Sequence, residues 1–221
     1  MVAEPAPIRI LHALVALALL LTCDVAPAFD VQVLDVRGEP LANAVVYLTH
    51  NDGSPIASAT PAAIARMDQV NEEFVPELMV IPQGARLFFS NSDTVNHHVY
   101  SFSSTRRLNV LVGSGEDSEA IAFDKAGPVA LGCNIHDLML GHLYVVPSPY
   151  FGATGVGGVA AIPAVPDGPY QLHVWHPRAR APATLAVVID ATRPQDVPAQ
   201  ITVKARNARQ RYARQDANRR Y

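Results

Sequence analysis

Three side chains that offer soft or borderline metal-binding atoms lie close together in the sequence: Cys133, His136 and Met139. They occur in the text GPVALGCNIHDLMLGHLYVV, where apolar residues on both sides predict two strands that hold the ends of a short loop. A thiolate, an imidazole and a thioether together suit a copper ion that cycles between two oxidation states. The spacing Cys-x2-His-x2-Met therefore predicts most of a copper site on one loop.

Such a site needs one more histidine from another part of the chain. Upstream, the text FFSNSDTVNHHVYSF predicts a strand that ends near Asn91, a polar loop, and a second strand that begins at two adjacent histidines, His97 and His98. Adjacent residues of a strand face opposite sides of the sheet, so only one of the two can point at the metal. The residues alone leave the choice between them open.

A third histidine and a second metal are the alternatives at this site. His142 lies three residues beyond Met139, where the next strand is expected to begin. We interpret it as a surface or cross-strand residue, with a metal role as the alternative. Zinc is the rival metal, but a closed structural zinc site takes Cys or His at its four positions, so the thioether favours copper.

The N-terminal segment has the features of an export signal. Residues 8–22 are mostly apolar, with Arg9 near their start, and the stretch is too short for a comfortable membrane span, which needs roughly 20 apolar residues. The tripeptide Ala26-Pro27-Ala28 matches the small-x-small pattern that signal peptidase cleaves. We therefore predict a signal peptide over residues 1–28 and a periplasmic mature chain, with an uncleaved anchor as the alternative. A lipid anchor on Cys23 is disfavoured by the Thr22 before it.

Export changes how the cysteines are interpreted. The chain of 221 residues contains two cysteines, Cys23 and Cys133, and cleavage after residue 28 removes the first. A lone thiol in an oxidising compartment has no internal disulfide partner and is a liability unless it has a function. Cys133 is therefore either a buried small apolar residue or a ligand, and the neighbouring His136 and Met139 favour the ligand.

Short apolar segments between turn residues predict many strands and an all-β fold class. Seven such segments lie between Met67 and Val146, among them Phe74–Val80 and Leu108–Val112, which is typical of a compact β-sandwich. The segment SPYFGATGVGG after Pro147 has the composition of a loop. The expected organisation is a signal peptide over 1–28, a split β-sandwich over 29–50 and 156–204, a linker over 51–66, a central sandwich over 67–147 and a basic tail over 205–221.

The order of the candidate ligands resembles that of a known family. The text Asn91-x5-His97-x-Val99, followed by Cys133-x2-His136-x2-Met139-x-Gly141, resembles the cupredoxins, or blue copper proteins, of the amicyanin and plastocyanin type. It is also similar to plastocyanin-like proteins often labelled methylamine utilisation proteins. The resemblance implies a Greek-key β-sandwich with one mononuclear type 1 copper site, and it covers residues 67–147.

The resemblance also implies a role for each ligand. It makes His97 the early ligand, Cys133 the thiolate, His136 the late ligand and Met139 the weak axial ligand, and its spacing favours His97 over His98. Members commonly carry Asn directly after the first histidine, where it ties the two ligand loops together. Here that position holds His98, so Asn96 or Asn134 is the candidate for the tie.

The flanking segments resemble a second family. The pieces VQVLDVRGEPLANAVVYL and AAIPAVPDGPYQLHVWHP are similar to two halves of the transthyretin-like sandwich found beside carboxypeptidases. This resemblance implies that the central sandwich is inserted in a loop of the outer one, which surface loops tolerate well. In the second piece, alternation places Tyr170, Leu172 and Val174 on the core face, and Trp175 outward, where packing between domains is the favoured interpretation.

The expected function is single-electron transfer without bond chemistry. The sequence has no nucleophile elbow, no phosphate-binding glycine loop and no His-Glu-x-x-His motif, so no enzyme activity is predicted. The cupredoxin resemblance implies a redox partner such as a dehydrogenase or a c-type cytochrome. A copper-delivery module and a structural protein with a vestigial site are the alternatives. Export argues against nucleic acid as the partner of the basic tail, whose favoured interpretation is a solvated end.

Overall fold

The computed structural model describes residues 29–58, 63–162 and 164–204 of the chain. The predicted signal peptide and basic tail lie outside these residues. Within them every regular element is a strand, so the predicted all-β class is confirmed. The described part of the chain contains no helix with the length and apolar character that a membrane crossing requires.

The strands follow one another with short connections, as the spacing of apolar segments and turn residues predicts. In chain order the described strands are β1 (Phe29–Asp35), β2 (Val45–His50), β3 (Ile64–Val70), β4 (Glu73–Val75), β5 (Leu78–Pro82), β6 (Arg86–Phe89), β7 (His97–Ser101), β8 (Leu108–Val112), β9 (Ile121–Ala122), β10 (Gly127–Cys133), β11 (Leu140–Val146), β12 (Phe151–Ala153), β13 (Val159–Ile162), β14 (Gly168–Trp175), β15 (Ala183–Ile189) and β16 (Gln195–Ile201).

Strands β3 to β11 form two sheets that pack face to face, which we call the inner sandwich. One sheet has the order β5-β11-β10-β7-β8, and the other has the order β4-β3-β6-β9. Alternate residues point inward from both sheets and form one buried core. That core includes Met67 and Phe89 from the four-stranded sheet, and Val99, Cys133 and Leu143 from the five-stranded sheet.

The remaining strands form the outer sandwich. Its sheets have the orders β13-β1-β16 and β12-β2-β14-β15, and a separate core lies between them. The predicted inward face of β14 is confirmed, because Tyr170, Leu172 and Val174 are buried in this core. The likeness of this sandwich to transthyretin-like modules and the predicted domain boundaries stay predictions.

Several strand bounds differ from those expected from the sequence. The segment expected as one strand over Phe74–Val80 is two strands, because Pro76 offers no backbone N–H and interrupts the ladder between them. Strand β3 begins at Ile64, within the segment expected as linker. The three-residue strand β12 lies in a segment expected as loop, where it pairs with β2. The glycine-rich composition of this segment predicts a loop and does not indicate a pairing with a distant strand.

A third buried cluster joins the two sandwiches. Its buried residues are Val45 of the outer sandwich and Leu78, Tyr144 and Val146 of the inner one, and the partly buried Trp175 packs against them. The Trp175 and Tyr144 rings lie 4.8 Å apart between centroids, at a tilted angle. Burial raises the pKa of Tyr144 well above its ordinary value, so its hydroxyl stays protonated. Packing between the sandwiches therefore accounts for the outward direction of Trp175.

The inner core provides a test of how much one buried side chain contributes to stability. Leu143 of β11 is fully buried, whereas Leu111 of β8 is exposed. Replacing Leu143 by Ala removes buried methyl groups and leaves a cavity, so we expect a loss of about 2–5 kcal/mol in the free energy of unfolding. Leu111→Ala is the matched control and should change it by about 0.5 kcal/mol or less. Urea unfolding measures both, and equal losses would contradict this core assignment.

The junction between the sandwiches contains a titratable group, His142, whose ring lies 6.5 Å from that of Trp175. Burial lowers the pKa of His142 below its ordinary 6.5. The unfolded chain therefore binds a proton at a pH where the folded chain does not, and stability present above about pH 6.5 is lost as the pH falls toward the folded pKa.

His142→Gln should accordingly reduce the fall in unfolding free energy between about pH 7.5 and pH 5, because the variant no longer binds that proton. Urea unfolding at the two pH values measures the fall. Leu111→Ala, at an exposed residue that does not titrate, provides the control and should leave the fall unchanged. If the unfolding free energy of His142→Gln decreased between the two pH values as much as that of the parent protein, the result would contradict the effect of burial.

Candidate metal centre

The predicted ligands lie at one end of the inner sandwich. His97 is the first residue of β7, and Cys133 is the last residue of β10. These strands pair antiparallel with Cys133 opposite Val99, so the two ligand positions come from adjacent strands. His136 and Met139 lie on the connection between β10 and β11, which are also paired. The predicted loop with strands at both ends is present.

Three of the predicted side chains converge. The Cys133 Sγ atom lies 3.5 Å from His136 Nδ1 and 3.7 Å from His97 Nδ1, and the two Nδ1 atoms are 3.2 Å apart. All three donor atoms lie within 4.8 Å of one another. His97 has 0% of its surface exposed and Cys133 is buried, while His136 is only partly buried. The cluster is thus enclosed on the strand side and open to solvent through His136.

These separations suit a single metal ion. An ion about 2.0–2.1 Å from nitrogen and about 2.3 Å from sulfur, bound at tetrahedral to trigonal angles, sets its donor atoms roughly 3.3–3.8 Å apart. The separations between Cys133 and each histidine fall in that range, and the His97–His136 separation of 3.2 Å lies just below it. One thiolate and two imidazoles are donors that copper accepts, so the cluster fits a copper site.

Met139 is held beside the cluster by the backbone of its own loop. Its N–H donates to the carbonyl of His136 at 3.2 Å, and its carbonyl accepts from the N–H of Cys133 at 3.2 Å. The side chain is buried in the same core cluster as Cys133. The loop therefore closes on itself and brings all three of its predicted ligands to one end of the inner sandwich.

His98 does not join the cluster. Its ring points away from the site, and its Nε2 lies 2.6 Å from Asn109 Oδ1 on β8. Its backbone nevertheless serves the site, because its N–H donates to Cys133 Sγ at 3.4 Å and its carbonyl accepts from the N–H of Asn134 at 3.0 Å. The two ligand loops are therefore tied by backbone groups. The side chain of Asn96 instead accepts from the N–H of Ser114.

Asp93 is a candidate site residue that the sequence reasoning missed. Its Oδ2 atom lies 2.8 Å from His97 Nε2, the ring nitrogen opposite the one that faces the cluster. This contact places a proton on Nε2, leaves Nδ1 free to bind metal and fixes the ring orientation. The signal was available, since Asp93 stands four residues before His97 in the polar loop, but nothing in that loop distinguishes it from its neighbours.

A tight turn holds Asp93 in place. Asn71 and Glu72, between β3 and β4, both have positive φ angles, 54° and 60°, and their N–H groups donate to the two carboxylate oxygens of Asp93. Burial pushes the pKa of Asp93 up, but these N–H groups and the contact with His97 outweigh it and leave the pKa below its ordinary value. The carboxylate is therefore ionised near neutral pH and stabilises the protonated Nε2.

His142 is likewise not part of the cluster. Its ring packs toward Trp175 at the junction of the sandwiches, and its N–H donates to the carbonyl of Glu77 at 2.8 Å. This position agrees with its interpretation as a cross-strand residue. Among the described residues, the cluster of His97, Cys133 and His136 is the one group of three such side chains arranged to hold an ion.

Comparison with known proteins finds similar structures but no family assignment. No model of a protein family matches the chain, and no curated protein sequence matches it. A purple cupredoxin from Nitrosopumilus maritimus matches with 20% identity and a TM-score of 0.33, covering 37% of this chain and 98% of that one. An amicyanin from Paracoccus versutus matches with 19% identity and a TM-score of 0.34, covering 45% of this chain and 97% of that one.

A third similar structure is a copper-containing nitrite reductase from Thermus scotoductus. It matches with 22% identity and a TM-score of 0.35, covering 51% of this chain. This chain spans 28% of the length of that enzyme. Because all three TM-scores are low, the case for function rests on the side chains of the site itself.

The contact between Asp93 and His97 can be tested by metal binding. Asp93→Ala removes the acceptor on Nε2, so the His97 ring loses its fixed orientation, and we expect copper affinity to fall roughly 10–100-fold. Competition with a chelator of known affinity measures the change. Asp137→Ala is the matched control, because Asp137 is an exposed carboxylate next to His136. Equal affinities of Asp93→Ala and the parent protein would contradict the positioning role.

Proposed function

We propose that this protein is a periplasmic electron carrier with one type 1 copper, held by His97, Cys133, His136 and Met139. The observation that carries the proposal is the convergence of one thiol and two imidazole nitrogens, from β7, β10 and the loop after β10, within 4.8 Å. The same loop buries the thioether of Met139. A bound copper ion would supply a centre that gains and loses one electron. Thiolate, imidazole and a weak thioether together serve both oxidation states.

The rigidity of the site supports electron transfer over catalysis. His97 and Cys133 belong to paired strands, and the loop from Cys133 to Met139 is closed by its own backbone hydrogen bonds. Ligands held in this way move little when the charge of the ion changes. The reorganisation energy that opposes electron transfer is therefore small. The four proposed ligands would complete the coordination shell of a copper ion and leave no position for a substrate, so we propose no enzyme activity.

The loop also offers a surface for a redox partner. Ile135, Leu138 and Leu140 are exposed large apolar side chains that lie around the partly buried His136 in sequence. An apolar rim around a ligand that reaches solvent suits a small, transient interface. We propose that a dehydrogenase or a c-type cytochrome docks here and that the electron passes through His136.

The outer sandwich belongs to this proposal as a scaffold. The cluster around Val45, Tyr144 and Trp175 packs it on β5 and β11 of the inner sandwich. The copper loop lies at the other end of β11, where Leu140 begins the strand. We propose that a cupredoxin-type unit is inserted in a transthyretin-like module, which holds it without covering the loop.

The absorption spectrum of the oxidised, copper-loaded protein tests the electron carrier against a copper-delivery module. A copper–thiolate bond in a type 1 site gives an intense band in the orange-red, and Cys133→Ser should abolish it because the thiolate is lost. His98→Gln and His142→Gln are matched controls that should keep the band, because both rings point away from the cluster.

Absence of the band after copper loading would contradict the type 1 assignment and leave the delivery module. Loss of the band in His98→Gln, with the fold retained, would instead contradict the choice of His97. Circular dichroism in the far ultraviolet checks that each variant keeps its strands.

A further inference from the structure

An open cavity lies at one end of the outer sandwich, and electron transfer at the copper centre gives it no role. Its volume is about 820 Å³, which is within the range of small-ligand sites. The turn after β2 and the loop before β14 line it from two sides. These segments lie side by side because β2 and β14 pair antiparallel, with His50 opposite Tyr170. The cavity is therefore built on a paired part of the sheet.

Two tyrosine rings line this cavity. Tyr150, in the connection between β11 and β12, and Tyr170 of β14 lie 6.4 Å apart between ring centroids, edge to face at 69°. The Tyr170 hydroxyl donates to the carbonyl of Pro166 at 3.2 Å, which fixes the orientation of that ring. Tyr150 is only partly buried, so its ring is accessible from the cavity. Aromatic faces carry partial negative charge and attract cations.

Two carboxylates line the same cavity. Asp52 lies in the turn after β2, where its Oδ1 accepts from the N–H of Ser54 at 2.8 Å. Asp167 lies in the loop before β14, where its Oδ1 accepts from the N–H of Ala191. Each carboxylate is thus held by a backbone group and has further lone pairs with which to accept from a ligand. The hydrogen bonds from Ser54 also lower the pKa of Asp52 below its ordinary 3.8, so this group is ionised near neutral pH.

The negative charge of this cavity is not balanced within its lining. The described residues that line it include no lysine or arginine, and His50 is the one lining residue that can become cationic. A smaller cavity of about 370 Å³, lined in part by Pro82 and Asp124, has one carboxylate and no aromatic side chain. Ile56 and Pro169 add apolar surface to the larger cavity. Carboxylates, aromatic rings and apolar surface together are complementary to a positive charge on an apolar stem.

We propose that this cavity binds the guanidinium group of an arginine side chain in a basic peptide segment. A guanidinium is planar, pairs with carboxylates through parallel N–H groups and stacks on aromatic rings, whereas an ammonium is a compact, strongly hydrated point charge. The carboxylates of Asp52 and Asp167 accept its N–H groups, and the Tyr150 ring packs on its plane. The outer sandwich thereby has a binding function of its own.

A peptide held in this cavity leaves the copper loop accessible. The copper loop ends at Leu140, where β11 begins, and the connection that carries Tyr150 follows Val146, where β11 ends. The cavity and the copper loop therefore lie at opposite ends of one strand. Binding in the cavity does not require the metal, so it can be tested separately from the copper centre.

Titration with small probes tests the class of ligand in the metal-free full chain. Nα-acetyl-arginine amide, added to the ¹⁵N-labelled protein at low salt, should shift the amide signals of Gly53, Gly168 and Tyr170 until they saturate. The citrulline amide has the same shape without the charge and should bind at least about tenfold more weakly. The lysine amide should also bind more weakly than the arginine amide. Shifts outside the cavity, or equal binding of either control amide, would overturn the proposal.

Paired substitutions test the two carboxylates. D52N/D167N keeps the shape of both side chains and removes both charges, so the dissociation constant of the arginine amide should rise at least about tenfold. E119Q/D196N makes the same change of net charge at two exposed carboxylates outside the cavity and should leave this constant within about twofold. Equal weakening in the two variants would overturn the proposal, because it would show an effect of net charge alone.

Two substitutions of Tyr150 test the contact with its ring. Y150F keeps the ring and should keep the affinity for the arginine amide. Y150L removes the ring and should weaken binding about two- to fivefold, as expected for loss of an exposed cation–π contact. The dispersion of the amide signals shows whether each variant is folded. Equal affinities of folded Y150L and the parent protein would overturn the stacking contact.

The chain itself contains one source of such a basic segment. Residues 205–221, outside the described part of the chain, include six arginines. With all six replaced by Gln, the protein should still bind the arginine amide saturably. Tighter binding than in the parent protein would assign the cavity to the chain's own arginines, and equal binding would assign it to those of another protein. Absence of saturable shifts at the cavity in both proteins would overturn the proposal.

Discussion

The antiparallel pairing of β7 with β10 is the constraint on which the site depends. Because Cys133 lies opposite Val99, the Cys133 side chain enters the core beside His97, two residues earlier on the neighbouring strand. The same register places the N–H of His98 on the thiol sulfur. It also places Tyr100 over Gly132 on the opposite face. A slip of one residue would turn His98 inward and remove every one of these contacts.

A second contact ties the site to the other sheet of the inner sandwich. Asp93 accepts from His97 on one side and from the turn at Asn71 and Glu72 on the other. That turn joins β3 and β4 of the four-stranded sheet, whereas His97 begins a strand of the five-stranded sheet. His97 is thus held from both sheets, whereas His136 is held by its own loop. This arrangement suits a metal centre whose buried ligand is rigid and whose other histidine reaches solvent.

The sequence was sufficient for the parts of the site that are local. Cys133, His136 and Met139 share one loop, so their spacing alone placed them together. Alternation on β7 permits either His97 or His98 to face inward, so the preference for His97 came from the cupredoxin resemblance and not from the local pattern. Asp93 acts through Asn71 and Glu72, which are about twenty residues away, so no local pattern marks it. Interactions that depend on distant pairing were out of reach.

The same distinction applies to the fold. Strands bounded by turn residues on both sides were expected close to where they occur, and β8 over Leu108–Val112 has the expected bounds. The short strand β12 exists only because β2 offers it a partner, and its own residues have the composition of a loop. Local preference therefore defined the long strands, and tertiary pairing decided the short ones.

X-ray absorption at the copper edge, measured in both oxidation states, tests the central claim most directly. The account predicts one sulfur at about 2.3 Å or less and two imidazole nitrogens at about 2.0 Å, with little change between the oxidised and reduced protein. A copper ion bound without a short sulfur distance would contradict it. So would a ligand set that changes on reduction, because the paired strands and the closed loop would then not hold the site.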